Sequence, residues 1–138
     1  MHGLLADVNV QGHLPYLRGL MEGQGLLEIR TEMGISLVNF PDLGLDRATD
    51  DRTLWHFCQE NGWVLFTDNR SREDENSLTA TIQDSWHEGH LPVLTLANKG
   101  KFENSATYAT RVAQDVAEVL VLVFVDEIRN QPRIFVPL

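Results

Sequence analysis

The chain has 138 residues and a formal net charge of −9, from 20 acidic and 11 basic side chains. That length fits one domain with a single core, and 43% hydrophobic residues is ordinary for a globular protein. The acidic balance argues against broad electrostatic capture of nucleic acid, which needs a basic surface. Cys58, the one cysteine, excludes an internal disulfide and leaves no set of thiolates for a zinc site.

In chain order, Gly3–Ala6 within HGLLADVNV reads as a short buried strand ending at Asp7. No basic segment followed by a long apolar one opens the sequence, so no secretory signal and a cytoplasmic location are expected. Leu14, Leu17, Leu20 and Met21 recur at helical spacing, closed by Gly23 and Gly25. Leu26–Arg30 is a weaker element, and Ile35–Phe40 reads as a strand. Pro41-Asp42-Leu43-Gly44 is a turn signal. Thr49 or Asp50 is expected to cap a helix running to about Asn61, with Gly62 just beyond it.

Trp63–Thr67 is then a second buried strand. Ser77–Glu88 carries Leu78, Ile82 and Trp86 four residues apart and is expected to be helical, and Leu91–Leu96 is a third strand. A long helix is expected over about Asn104 to Asp126, and Arg133–Val136 as a closing strand. That helix contains VAEVLVLVFV (116–125), which is too short to cross a bilayer and is interrupted by Glu118. It reads as core or as the interface of a homodimer, with no membrane partner. Cys58, among Trp55, His56 and Phe57, reads as a small buried hydrophobe. Strands alternating with helices predict an α/β fold, a three-layer α/β/α sandwich with a mostly parallel sheet, as a single domain over 1–138.

In such sheets the functional crevice lies beyond the carboxyl ends of the strands. Asp7 follows the first strand and Asp68 follows Trp63–Thr67. Asp51 starts the helix between them and continues the face made by Leu54, Trp55 and Cys58. Glu73, Asp74 and Glu75 come next, on the loop beyond Asp68. Carboxylates gathered in one cleft repel each other unless a cation neutralises them. Mg²⁺ and Mn²⁺ favour oxygen ligands and keep waters, which leaves room for a substrate phosphate. Such an ion lowers the pKa of a bound water and stabilises the leaving oxygen of a phosphodiester. Each acid also has a plainer use: Asp51 against the helix dipole, Asp68 in an Asx-turn, and residues 73–75 as a solvated charge run. Asp7, directly after an apolar strand, has the least local use.

In their order, LLADVNV (4–10), LGLDRATDDRTLWHFCQENGWVLFTDNR (43–70), LPVLTLAN (91–98) and RIFVP (133–137) resemble the PIN-like domain family, and most closely its small bacterial members. That family includes metal-dependent ribonucleases, many of them toxins of toxin–antitoxin pairs. The resemblance implies a PIN-like fold, Mg²⁺ or Mn²⁺ as cofactor, RNA as substrate and an antitoxin as a protein partner. It implies Asp7, Asp51, Asp68 and Asp74 as the catalytic and metal-binding acids, with Asp50 and Glu73 as neighbouring alternatives. It further implies that Thr67 orients a ligand or bound water and that Asn9, Asn69 and Arg70 lie beside the substrate. Where relatives commonly read Thr-x-Asp, this chain reads Thr67-Asp68-Asn69, so its acid comes one residue early.

Arg70, Arg72, Lys99 and Lys101 are either a local basic rim or solvated loop charge. The altered Thr-Asp order, the negative charge and the apolar 116–125 run also suit a PIN-like module that binds a partner without cutting. A third reading is a receiver-like phosphoacceptor using Asp7, Asp68, Thr95 and Lys99, although Val8 stands where receivers carry a second acid. No serine triad is expected, because the five histidines are scattered and no nucleophile-elbow glycines flank a serine. His87 and His90 have the spacing of a metal pair but are expected to face solvent.

Overall fold

The computed structural model describes residues 1–68, 77–128 and 130–138. Strand β1 (Gly3–Ala6) is buried on both faces, with Leu4, Leu5 and Ala6 wholly inaccessible. That is the signature of a central strand in a parallel sheet. It pairs in parallel with β2 (Ser36–Val38) on one side and β3 (Trp63–Asp68) on the other. Strand β3 pairs with β4 (Val93–Leu96), and β4 with β5 (Arg133–Val136), giving the order β2-β1-β3-β4-β5 with every pairing parallel. Gly3 is required where β1 meets β2: its φ is 152°, and a Cβ there would lie 1.9 Å from the Ser36 carbonyl oxygen.

Strand alternation sorts the side chains onto two faces. Leu4, Ala6, Val64, Phe66, Leu94 and Leu96 pack with Leu14, Leu17 and Met21 of α1 (Leu14–Gly23). The same core takes Phe102 of α5 (Lys99–Asn104) and the buried stripe of α6 (Ala106–Phe124). Helix α2 (Leu26–Met33) flanks it, with Leu26 and Met33 partly buried. On the opposite face Leu5, Leu65 and Val93 pack with Leu54, Trp55 and Cys58 of α3 (Asp51–Asn61) and Leu78 of α4 (Leu78–Ser85). Helices on both faces of one parallel sheet make the expected three-layer α/β/α sandwich.

The caps of α3 are those the sequence signals. The Asp50 carboxylate accepts from the Thr53 N–H at 2.7 Å, and Gly62 closes the helix in the left-handed region at φ 75°. Helix α4 stops at Ser85 because Trp86 is extended, three residues short of the expected end. The expected long helix over about Asn104 to Asp126 is α6, and the short helix α5, which no sequence pattern announced, precedes it. Ser105, with an extended backbone (φ −127°, ψ 111°), separates the two and caps the start of α6 by accepting from the Tyr108 N–H at 3.2 Å. The apolar 116–125 run is mostly core: Val116, Val119, Leu120 and Val123 are buried, while Phe124 and Val125 emerge at its end. Among the described residues, no helix is long and apolar enough to cross a membrane.

Successive crossovers run outward from β1 to β2, then back across β1 to β3 and onward to β4 and β5. The direction of winding therefore reverses between β1 and β3. That switch point opens a crevice at the carboxyl ends of these two strands.

Candidate functional site

Asp7 stands at the exit of β1 and is fixed there by its own backbone. Its N–H donates to the Phe66 carbonyl at 2.9 Å, and its carbonyl accepts from Val10 N at 3.1 Å and Gln11 N at 2.8 Å. The carboxylate is buried, with the residue 2% exposed. Oδ1 accepts from the Asn9 N–H at 2.8 Å, and Oδ2 accepts from the Thr67 hydroxyl at 2.5 Å. Thr67 is itself wholly buried. A β3 residue sixty positions away thus sets the orientation of the β1 acid. Thr67 therefore contacts Asp7 directly, and Asn9 contributes its backbone to the same carboxylate.

Asp51 occupies the first turn of α3 and is 8% exposed, because its face of the helix docks on the sheet. Asp7, Asn9 and Asp51 line one cleft of about 310 Å³, together with Thr49, Asp50 and Arg47. Two acids singled out in the sequence, from separate elements, therefore open onto one space. The Asp50 carboxyl is held below its usual range, chiefly by the backbone N–H of Thr53, so it serves as the helix cap. Seven residues past Asp51, the Cys58 thiol is pushed up to about 12 by burial, with the Asp7 charge adding to the effect. It is a packed side chain and not a nucleophile at neutral pH.

Asp68 is the last residue of β3, one residue beyond the expected strand end, and is half-buried. The alternation that points Thr67 at Asp7 assigns Asp68 to the opposite face. It is not among the described residues lining the cleft. Asp74, Asn69 and Arg70, with Glu73, Glu75 and Arg72, lie outside the described residues. Among the described residues no three His, Cys, Asp or Glu side chains gather closely enough to hold a metal ion.

Lys99, just after β4, donates from Nζ to the Asn9 carbonyl at 2.9 Å and so straps the turn that carries Asp7. The buried Thr95 hydroxyl accepts from Arg133 Nε at 2.9 Å. The His87 and His90 rings have centroids 3.9 Å apart. His90 Nδ1 accepts from the His87 N–H at 3.2 Å, an arrangement that leaves the proton of the neutral ring on Nε2. Burial, then the neighbouring His87 and His56, lower the His90 pKa. The two rings thus lie against each other in a tilted contact at the surface.

One charged member of the cleft, Arg47, carries no sequence signal, whereas Thr49 is one of the two residues expected to cap α3. Arg47 sits in an irregular loop with no periodicity and lines the cleft together with the start of α3. No family model, curated protein or solved structure matches this chain.

Proposed function

We propose that the cleft between β1 and α3 is a divalent-metal site for phosphodiester hydrolysis, with RNA as substrate. The observation that carries this reading is the pair of buried carboxylates, Asp7 and Asp51, opening onto one cleft at the β1/β3 switch point. The polar groups lining it offer oxygen donors without imidazole or thiolate, a set that suits Mg²⁺ or Mn²⁺ rather than zinc or copper. Mg²⁺ is commonly held by one or two carboxylates, with waters and substrate phosphate completing its octahedron. Asp7 and Asp51 match that requirement without a third protein carboxylate. The resemblance of the surrounding segments to PIN-like nucleases agrees with it.

When bound, the ion would supply an activated water and charge stabilisation for the leaving oxygen. The chain's own residues have separate tasks. Asp7 and Asp51 would hold the cation, one from the exit of β1 and the other from the first turn of α3. The Thr67 hydroxyl and Asn9 N–H fix the Asp7 carboxylate in one orientation, the support that metal ligands depend on. Lys99 keeps the turn after β1 in place.

Mn²⁺ calorimetry on wild type, Asp7→Asn and Asp51→Asn tests the reading. Binding by the wild type that drops at least about tenfold in each variant, with unfolding midpoints showing both variants folded, is expected. A folded wild type that binds no Mn²⁺ at millimolar concentration would refute it and favour a partner-binding module. The strand order favours one alternative, because flavodoxin-like folds and receivers share it. In that reading Asp68 accepts a phosphoryl group. Thr95 and Lys99 are engaged with Arg133 and Asn9, which argues against it. An acid-labile phosphate on Asp68 after incubation with acetyl phosphate would reverse the ranking.

A further inference from the structure

We infer that Arg47 is the phosphate-contacting residue of this cleft. Its ligand would be the anionic phosphate of a phosphodiester, and this inference rests on reading Asp7 and Asp51 as holders of a divalent cation. Among the described residues lining the cleft, Arg47 is the one cation, in the company of three acidic residues, Asp7, Asp50 and Asp51. An arginine in such company would ordinarily be expected to pair with one of them. Among the described residues it forms no ion pair with any. Its side chain is exposed, so it is reachable from solvent.

The backbone beneath Arg47 is held firmly. The Asp46 carboxylate accepts from the Ala48 N–H at 2.7 Å. The Asp46 carbonyl accepts from the Thr49 N–H at 3.0 Å and from the Thr49 hydroxyl at 2.6 Å. This closes a turn around Arg47 and Ala48, and the chain then enters the Asp50 cap directly. Arg47 and Asp51 therefore belong to one hydrogen-bonded unit, with the guanidinium anchored four residues from the acid. A planar fork of donors matches two oxygens of a phosphate. In a chain of net charge −9, an incoming phosphate needs a local cation to offset the general repulsion. Carboxylates and a guanidinium lining one cleft suit a ligand that joins a cation to an anion, as a metal-bound phosphate does.

The test measures two bindings separately on wild type, Arg47→Ala and Arg47→Lys. Mn²⁺ affinity is read by calorimetry without nucleic acid. Affinity for a fluorescent, cleavage-resistant 2′-O-methyl RNA oligonucleotide is read by anisotropy with Mn²⁺ present, across a salt series. Expected for Arg47→Ala is a loss of at least about tenfold in oligonucleotide affinity, with the log–log salt slope reduced by about 0.7, the value for one phosphate contact on a single strand. Mn²⁺ affinity should stay within about twofold, and Arg47→Lys should keep the salt slope while recovering part of the affinity. Unchanged oligonucleotide affinity in Arg47→Ala, with Mn²⁺ still bound, overturns the role of Arg47 and leaves the metal reading standing. Equal loss of Mn²⁺ and oligonucleotide binding also overturns it, since Arg47 would then act on the acids. A wild type that binds no Mn²⁺ overturns the metal reading and this inference with it.

Discussion

Replacing Thr67 by Val keeps the shape of the side chain and deletes a single hydroxyl. Thr67 is wholly buried and Asp7 is 2% exposed, so water cannot take over the lost donor without entering the packed layer under α3. Hydrogen bonds to charged groups contribute about 1.5–3 kcal/mol, and an acceptor left short of a donor in the interior costs a similar amount. A loss of about 2 kcal/mol is therefore expected for Thr67→Val. For a chain of this size that corresponds to a fall of about 8 °C in Tm. Urea unfolding followed by tryptophan fluorescence measures it, with Asp7→Asn and the double variant completing a cycle. A neutral Asn acceptor makes a weaker bond, so Thr67→Val should cost only about 1 kcal/mol in that background, giving a coupling of about 1 kcal/mol. If Thr67 positions Asp7 as a ligand, Mn²⁺ affinity should also drop by about tenfold. A loss below about 0.5 kcal/mol, or equal losses in both backgrounds, would refute the assignment of Thr67 as the holder of Asp7.

Three further outcomes follow from the packing. Gly3→Ala places a Cβ 1.9 Å from the Ser36 carbonyl oxygen at a φ of 152°, so β1 and β2 must separate. A loss of at least about 3 kcal/mol is expected in urea, and a wild-type midpoint would contradict the close approach. Cys58, with its thiol pushed up to about 12, should react with Ellman's reagent about a thousandfold more slowly than a free thiol at pH 8, until urea unfolds the chain. Rapid labelling of the native protein would rule out the packed placement. The folded His90 pKa lies below its usual value, so the unfolded chain binds more protons as pH falls from about 6.5 through the folded value. Stability associated with His90 is therefore intact above about pH 6.5 and is lost below it. His90→Gln should flatten the urea midpoint between about pH 7.5 and 5.5, and parallel curves for the two proteins would disprove the shift.

The layers of the fold were legible because local rules and burial agree. The run Leu4-Leu5-Ala6 announced a strand buried on both faces, and Asp50 and Gly62 announced the ends of α3. Asp7 could be picked out because a carboxylate after such a strand has little local use, and Asp51 because it extends an apolar helix face. The short helix α5 was hidden for a physical reason: six residues are too few to show a helical period, and its Asn98 cap is equally at home in a turn. The one-residue extension of β3 was equally hidden, and it decides which face Asp68 takes. Arg47 lay beyond pattern reading altogether, since its place is set by the Asp46 turn and by how α3 docks. Strand order is likewise a product of pairings between distant segments.

The Asp7–Thr67 contact has a further consequence for how the chain can be divided. Every ladder bond on the β3 side of β1 waits for residues that follow α3 in the sequence. A fragment ending at Asn61 would contain both buried acids but leave one edge of β1 bare, and the hydroxyl that orients Asp7 would be on the other piece. Closing a loop of this length adds little entropic cost, about 0.6 kcal/mol per doubling. The pairing is nonetheless non-local, which slows folding. Acids and orienting hydroxyl would therefore meet only on reassociation of the two fragments, making the cleft a reporter of sheet completion in a split-chain experiment.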